Sequence, residues 1–284
     1  MKVVLVLALA AALYQLAVVL IVRLAWRTPR GAPRRDPSRL GIPFETVRFP
    51  TLRGKSLHGW WMPSGVEHAP CVVLVHGWGR SVERMLPWIE LLRPGGFDLL
   101  AFDAREHGLS DPDGFASMVK FSEDIRGAVS YARESRGALD GGGIGVLGLS
   151  TGGSAAIHAA AHDPRITAVA TVGAFAVPSA RVLLGKRWWL LAPGVPLAFR
   201  LAERRVGFRF HEEAPQRLVG RSRARFLFIH GADDAVIPVA NARQLAEAAG
   251  PKAEAWIIPG RGHSDPNREP EMAARLTTFF GRAP

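Results

Sequence analysis

The hydrophobic residues near the start of the chain form one long, uninterrupted run. Residues 3–22 read VVLVLALAAALYQLAVVLIV, with Gln15 as their only plainly polar member. A run that is apolar on every face of a helix does not fit the core helix of a soluble domain. At about 1.5 Å per residue such a helix spans about 30 Å, the hydrocarbon thickness of a bilayer. We therefore predict a membrane anchor over residues 1–24.

A cleaved signal peptide is the alternative interpretation of the same run. Lys2 leads the run, and Ala8-Leu9-Ala10 resembles a cleavage site. Cleavage there would leave about a dozen apolar residues at the new N-terminus, which favours an uncleaved anchor.

A basic segment rich in proline and glycine follows the apolar run. Residues 25–40 contain RTPRGAPRRDP, which is typical of a tether lying against anionic lipid headgroups and not of folded structure. Because positive charges tend to remain on the cytoplasmic side, we expect a single-pass membrane protein whose larger part is cytoplasmic.

From residue 41 onwards, short apolar runs alternate with amphipathic segments. The apolar runs predict strands at 44–49, 56–62, 71–77, 97–103, 144–149, 166–173, 225–231 and 253–260. The amphipathic or small-residue segments predict helices at 81–92, 117–136, 151–162, 240–249 and 269–281. The first two strands are joined by the turn-rich PTLRGK, and CVVLVHG is typical of a buried parallel strand. Residues 41–284 are therefore predicted to form an α/β domain with a mostly parallel, doubly wound sheet and an N-terminal hairpin.

Charge and composition exclude several classes of function. Of the net charge of +11, residues 1–39 supply +6, with seven basic residues and one acidic residue. No stripe of arginines with interleaved aromatic residues follows, so we expect no nucleic-acid partner. The single cysteine, Cys71, excludes an intrachain disulfide. No cluster of Cys, His and carboxylate residues shows metal-ligand spacing, so we expect no metal site.

The stretch GGGIGVLGLSTGG fits two incompatible motifs. Residues 143–148 fit the G-x-G-x-x-G loop that binds a dinucleotide, and residues 148–152 fit the G-x-S-x-G turn that presents a nucleophilic serine. A dinucleotide loop needs a strand before its first glycine, whereas the turn-like GALDGG stands there. In the other register, 144–149 is the strand, Ser150 the turn and 151–162 the helix. The serine motif is therefore favoured, and no cofactor is expected.

A nucleophilic serine needs a base, and the base needs an acid that orients it. In this topology both should follow the serine, on loops at the carboxyl ends of later strands. HGADDAVIP offers Asp233 and Asp234, and GRGHSDP offers His263. The order of these residues predicts a triad of Ser150, one of the two aspartates and His263.

Five motifs now stand in a consistent order: HGWG (76–79), DAREHGLSD (103–111), GLSTG (148–152), HGADDAVIP (230–238) and GRGHS (260–264). Over about residues 44–280, the chain resembles the α/β-hydrolase family. The resemblance is closest to its single-domain esterase, monoacylglycerol-lipase and serine-aminopeptidase-like members.

This resemblance implies a role for each residue of the site. Ser150 would be the nucleophile, His263 the base and Asp234 the acid, with Asp233 as the alternative acid. The backbone N–H groups of Trp78 and Thr151 would stabilise the oxyanion. Of the other candidate residues, Asp103, His76 and His107 are expected to support loops, and His158 and His162 to belong to the scaffold or the surface.

The resemblance also implies a small helical cap at about residues 175–224. Trp188 and Trp189 in this interval are interpreted either as part of a lid that lines an acyl pocket and dips into the membrane, or as residues that simply bury themselves on the core. Pro193 and Pro196 exclude one long helix there.

We therefore expect a membrane-anchored serine hydrolase that cleaves carboxylic esters, including lipid-like ones, through an acyl-enzyme. The same triad also fits a peptidase, an amidase or an acyltransferase. A non-enzymatic function is the other alternative, in which a catalytically silent α/β-hydrolase fold acts as a binding protein.

Overall fold

The computed structural model of the chain describes residues 2–25, 28, 30–136, 143–179 and 193–281. The strands in this part of the chain are β1 (Glu45–Thr51), β2 (Lys55–Met62), β3 (Cys71–Val75), β4 (Asp98–Phe102), β5 (Ile144–Leu149), β6 (Ile166–Val172), β7 (Arg225–Gly231) and β8 (Ala253–Ile258). They form one sheet in the order β1-β2-β4-β3-β5-β6-β7-β8. The pairs β1–β2 and β2–β4 are antiparallel, and the remaining pairs are parallel. The predicted mostly parallel sheet with an N-terminal hairpin is thus confirmed.

The first strand is longer than predicted. The sequence placed its end at residue 49 and assigned Pro50 to the connection, whereas β1 continues to Thr51 and Pro50 lies opposite Ser56. Proline is tolerated there because β1 is the edge strand of the sheet, where a missing N–H breaks no ladder on the open side.

The α-helices among the described residues are α1 (Lys2–Ala25), α2 (Leu86–Leu92), α3 (Met118–Arg136), α4 (Thr151–His162), α5 (Val195–Val206), α6 (Pro215–Leu218), α7 (Ala240–Ala249) and α8 (Met272–Gly281). Buried residues of α3, α4 and α7 form one hydrophobic core with one face of the sheet. Those of α2 and α8 form a second core with the other face. The sheet is therefore covered on both faces, as the alternation of strands and helices predicted.

The topology brings four loops of chemical interest to one edge of the sheet. The carboxyl ends of parallel strands meet at that edge, which is where open α/β sheets bind their ligands. Gly77 follows β3, Ser150 follows β5, Asp234 follows β7 and His263 follows β8. Residues far apart in the sequence can therefore converge there.

The N-terminal helix lies almost entirely exposed and touches the cap. Its segment Lys2–Ile21 has a mean hydropathy of 2.7 and is long and apolar enough to cross a membrane, a criterion that an N-terminal signal sequence also meets. Val18 packs against Ala198 of α5, and the Gln15 side chain donates a hydrogen bond to the Pro193 carbonyl at 3.4 Å. The cap is thus in contact with the predicted anchor.

The basic segment after this helix also touches the α/β domain. The Arg35 guanidinium lies 2.6 Å from a carboxylate oxygen of Glu83. The Thr28 hydroxyl donates to the Glu106 carbonyl at 2.8 Å. A short 3₁₀ helix, Pro37–Leu40, is capped by the Asp36 side chain before β1 begins.

Candidate active site

Ser150 occupies a strained turn between β5 and α4. Its backbone has φ 52° and ψ −118°, a conformation that non-glycine residues rarely adopt. The Ser150 N–H donates to the Val172 carbonyl at 2.8 Å, which fixes the turn against β6. Such strain persists only where the surroundings impose it, and it is common at functional sites.

The glycines that flank Ser150 are required by close backbone contacts. A Cβ on Gly152 would lie 2.4 Å from the His76 carbonyl oxygen, and one on Gly148 would lie 2.5 Å from the Gly152 carbonyl oxygen. Both distances are well inside van der Waals contact. The strand can fold back sharply into α4 only because these positions carry no side chain.

The structure brings Asp234 and His263 together. The Nδ1 of His263 lies 2.7 Å from Oδ2 of Asp234, whose side chain is fully buried while that of His263 is 20% exposed. Asp233, the alternative acid, is exposed on the surface of the same loop. The pairing therefore selects Asp234 as the partner of the imidazole.

The carboxylate of Asp234 is held ionised and in a fixed orientation. Burial alone would raise its pKa, but hydrogen bonds from His230, His263 and the Ile237 N–H outweigh burial and hold the pKa well below its usual range. Oδ1 accepts the N–H groups of Val236 and Ile237, each at 2.8 Å. Oδ2 faces His263 at 2.7 Å and the His230 ring at 3.2 Å, so a negative charge is available to stabilise a protonated His263 imidazole.

Gly173, which sequence reasoning did not single out, lies against this pair. Its φ is +64°, and a Cβ there would lie 3.0 Å from Cε1 and Nδ1 of His263 and 3.4 Å from Oδ2 of Asp234. The sequence signal was a glycine directly after the strand ITAVATV, but only the fold shows what lies above it.

Two buried histidines hold the loop that carries Trp78. The Ala104 N–H donates to Nε2 of His76 at 3.1 Å, so the ring proton is on Nδ1, which donates to the Gly77 carbonyl at 2.7 Å. In the trans peptide between Gly77 and Trp78, the carbonyl and the N–H point in opposite directions. The contact from His76 therefore also sets the direction of the Trp78 N–H.

His107 supports the next residue of this loop in the same way. Its Nε2 accepts the Gly79 N–H at 3.1 Å, and its Nδ1 donates to the Arg105 carbonyl at 2.9 Å. Burial and the neighbouring His76 lower the pKa of His107 to about 3, and burial lowers that of His76 as well. Both rings are neutral supports, in agreement with the sequence interpretation.

The first turn of α4 supplies a second set of backbone donors. Thr151 is the first residue of this helix, and the N–H groups of a first helical turn have no acceptor within the helix. The positive end of the helix dipole lies at the same place. Thr151 thus presents an N–H group beside the Ser150 hydroxyl.

Asp103 and Arg105 serve the fold of their loop. The carboxylate of Asp103 is fully buried and accepts hydrogen bonds from the His58 ring at 2.9 Å and the Val82 N–H at 2.7 Å. The Arg105 guanidinium is equally buried and pairs with Asp124 at 2.6 Å and with Asp113 at 3.1 Å. These partners leave neither residue free to act on a substrate.

Ser150 and His263 open into a common cavity of about 390 Å³. Trp78, Thr151 and two further serines, Ser117 and Ser264, line it as well. Its apolar lining consists mainly of Trp78, Trp88, Met118, Leu149, Val172, Phe175, Phe208, Phe210, Val236 and Ile237. A concave apolar site with a few convergent polar groups is the usual form of a small-molecule site.

The cap contributes Phe208 and Phe210 to the cavity. Phe210 is joined to α5 by an edge-to-face contact with Phe199 at 5.5 Å between ring centroids. Sequence reasoning missed both residues because they lie just beyond the tryptophan-rich stretch on which it concentrated. Trp188 and Trp189 lie outside the described residues.

Comparison with known proteins shows similarity in sequence and in fold. Residues 66–206 match the model of a hydrolase family described as serine aminopeptidase, S33. The thiohydrolase aneE of Aspergillus aculeatus is 33% identical over 132 residues, which cover 45% of this chain and 41% of that protein. The polyketide transferase grgF of a Penicillium species is 29% identical over 134 residues, which cover 46% and 45%.

Among solved structures, the esterase Pf2001 of Pyrococcus furiosus superposes with a TM-score of 0.74 at 22% sequence identity, covering 90% of this chain and 97% of that one. This likeness concerns the fold. The chain spans less than half the length of the thiohydrolase and of the polyketide transferase. The chain therefore has the α/β-hydrolase fold, and over residues 66–206 it is similar to a family of hydrolases.

Proposed function

We propose that the chain is a serine hydrolase that cleaves carboxylic esters through an acyl-enzyme. The observation that carries the proposal is the pairing of His263 with Asp234 at 2.7 Å in a cavity that also contains Ser150. A serine in a strained strand-to-helix turn, an imidazole and a buried carboxylate are the three groups that acyl transfer needs.

The reaction divides into two steps. The Ser150 Oγ attacks the carbonyl carbon, and Nε2 of His263 takes the hydroxyl proton while Asp234 stabilises the resulting cation. The protonated imidazole then gives that proton to the leaving alcohol. In the second step His263 deprotonates a water molecule that attacks the acyl carbon, and the proton returns to Ser150.

The backbone N–H groups of Trp78 and Thr151 are the proposed oxyanion donors. Both residues line the cavity beside Ser150. Donors that are fixed before the reaction cost no reorganisation when the negative charge develops, and each contributes roughly 10²–10³-fold in rate. His76 and His107 fix the loop that carries Trp78, and the start of α4 fixes Thr151.

An apolar acyl group is the proposed substrate feature. The aromatic rings of Trp88, Phe175, Phe208 and Phe210 surround the cavity, and its volume of about 390 Å³ suits a small or medium acyl chain. Since α1 is long and apolar enough to cross a membrane and packs on the cap, we propose that the enzyme is membrane-anchored and receives lipid-like esters. We place the catalytic domain on the cytoplasmic side because of the basic segment that follows α1.

Thioester cleavage or acyl transfer is the second candidate. It is favoured by the thiohydrolase and polyketide transferase names of two relatives, and it uses the same acyl-enzyme. Amide cleavage is the third, favoured by the aminopeptidase description of the matching family. The candidates differ in the leaving group and in the nucleophile that resolves the acyl-enzyme.

A substrate panel separates these candidates. We expect the full-length protein in detergent micelles to hydrolyse p-nitrophenyl esters, with kcat/KM highest at one preferred acyl length. An acyl thioester of the same length and an aminoacyl anilide are the comparison substrates. Ser150→Ala should abolish turnover, whereas Ser117→Ala, a serine in the same cavity, should retain it.

Faster cleavage of the thioester than of the matched ester would favour the second candidate, and preferred cleavage of the anilide the third. Equal activity of Ser150→Ala and the wild type would contradict the proposed nucleophile. No turnover of any substrate would favour a silent binding protein.

A further inference from the structure

Two histidines near the carboxyl end of α4 meet a glutamate, at the opposite end of this helix from the proposed nucleophile. His158 and His162 lie four residues apart on one face of the helix, and their rings stack with centroids 4.5 Å apart. Glu213 approaches from the loop between α5 and α6, with Oε2 at 2.8 Å from Nε2 of His158. One ligand-capable atom of each residue lies within 4.8 Å of the others.

The second nitrogen of each ring is already engaged. Nδ1 of His162 donates to the His158 carbonyl at 2.8 Å, so Nε2 of the same ring carries a free lone pair. Nδ1 of His158 lies 2.8 Å from the Ser122 hydroxyl. Histidines that bind metals show this arrangement, in which a neighbouring group fixes the outer nitrogen and orients the ring.

We propose that His158, His162 and Glu213 form a binding site for a divalent transition metal of the Zn²⁺ type. The two Nε2 atoms and one carboxylate oxygen of Glu213 would be the ligands, and solvent would complete the coordination. Zn²⁺ takes such N and O ligands at about 2.0–2.2 Å, which separates them by roughly 3.4 Å in a tetrahedral site. One ligand atom of each residue lies within 4.8 Å of the others, so metal binding would require side-chain rotations that bring them closer.

Binding requires one proton to move within the His158 ring. The hydrogen bond to the carboxylate of Glu213 places the ring proton on Nε2, where the metal would bind. Through exchange with solvent, the proton leaves Nε2 and one is taken up at Nδ1, where the Ser122 hydroxyl accepts it. A hydroxyl can donate or accept, so Ser122 satisfies Nδ1 in both tautomers.

The position in the fold favours a cation. His162 is the last residue of α4, and the carboxyl end of a helix carries the negative end of its dipole. A bound metal would link the loop between α5 and α6 to α4, the helix that follows the proposed nucleophile. The sequence alone does not indicate this cluster because Glu213 comes from a distant loop.

The test is a direct binding measurement that needs no enzymatic activity. Full-length, tag-free protein in detergent is titrated with ZnCl₂ by calorimetry, and its Tm is measured with and without the metal. We expect one Zn²⁺ per chain and, at about a hundredfold excess over Kd, a rise in Tm of about 5 °C or more. Co²⁺ in place of Zn²⁺ should give visible absorption typical of mixed nitrogen and oxygen ligands.

Three variants make the test specific. His162→Ala and Glu213→Gln each remove one ligand and should weaken Zn²⁺ binding at least about tenfold. His68→Gln alters an exposed histidine elsewhere and should leave Kd within about twofold. The Tm of each variant without metal shows whether its fold is intact, and Glu213→Gln decides the test if His162→Ala does not fold.

The proposal is overturned if the wild type shows no saturable one-to-one binding. It is equally overturned if His162→Ala and Glu213→Gln bind Zn²⁺ as tightly as the wild type.

Discussion

At the scale of single residues, the proposed reaction depends on close packing around the His263 ring. His263 is held between Asp234, which fixes Nδ1, and Gly173, whose missing side chain leaves room for the ring. The imidazole must reach both the carboxylate and the serine, and a displacement of about 1 Å in such a site can cost about 10²-fold in rate. The smallest residue is therefore as important here as the reactive ones.

Gly173→Ala tests this arrangement. The new Cβ would lie 3.0 Å from the His263 ring, so we expect kcat/KM for a p-nitrophenyl ester to fall by about 10²-fold. Gly41→Ala is the matched control, because Gly41 has a similar φ of +66° with nothing within 4 Å of its Cβ position. Unchanged kinetics for Gly173→Ala would show that His263 does not need its present position.

At the scale of elements, the loop that carries Trp78 is supported by neutral, buried imidazoles. Burial lowers the pKa of His107 to about 3, whereas an unfolded chain leaves it near 6.5. Between pH 6.5 and pH 3 the unfolded state binds a proton that the folded state does not. The contribution of His107 to the stability of the folded state is therefore complete above pH 6.5 and is lost as the pH falls towards 3. The lowered pKa of Asp234 also makes stability depend on pH, but stability is lost through this group only below the ordinary aspartate pKa near 4.

His107→Gln should reduce the acid sensitivity of the fold. An amide can accept from Gly79 and donate to Arg105, but it does not titrate. We expect acidification from pH 7 to pH 5 to lower the free energy of unfolding of the wild type by about 2 kcal/mol more than that of the variant. Tm measured at both pH values should therefore decrease more for the wild type. His68→Gln should behave like the wild type. An equal decrease in Tm for His107→Gln and the wild type would contradict a neutral, buried His107.

The elements themselves were largely predictable because their signals are local. Continuous apolar runs such as Cys71–Val75 belong to strands buried on both faces, and the amphipathic period of α3 marks a helix covered on one side. The strand-to-helix turn at Ser150 and the order of the motifs also follow from short stretches of sequence. The end of β1 was wrong by two residues because tolerance for Pro50 depends on its edge position, which is a property of the sheet.

The rest of the site depends on contacts between distant segments. Nothing near Gly173 in the sequence indicates that His263 lies above it, and nothing near Phe208 indicates that it lines the cavity. The choice between Asp233 and Asp234 likewise came from resemblance, whereas in the structure burial and the hydrogen bond to His263 distinguish the two. These features follow only from the packing of the whole chain.

At the scale of the whole molecule, the N-terminal segment and the α/β domain are in contact. Helix α1 packs on α5, and the basic segment after it bonds to Glu83 and Glu106. A membrane anchor in this position would hold the cap and the mouth of the cavity near the lipid surface, which suits a lipid-like substrate. The exposed apolar surface of α1 agrees with burial in a bilayer.

Fractionation tests the anchor. The full-length protein should sediment with membranes and resist carbonate extraction, whereas a chain that starts at Gly41 should stay in the supernatant. The reason is that the apolar run of residues 3–22 would be removed. Recovery of a mature protein that lacks the first dozen or so residues would favour a signal peptide instead.

The central claim is that Ser150 is a nucleophile activated by His263. Peptide mapping after reaction with a fluorophosphonate tests it most directly, because the reagent forms a stable bond with an activated serine and mass spectrometry identifies the modified residue. We expect one adduct per chain, on the peptide that contains Ser150, with no labelling of Ser150→Ala and full labelling of Ser117→Ala. An adduct on another residue, or labelling of Ser150→Ala at the wild-type rate, would contradict the claim.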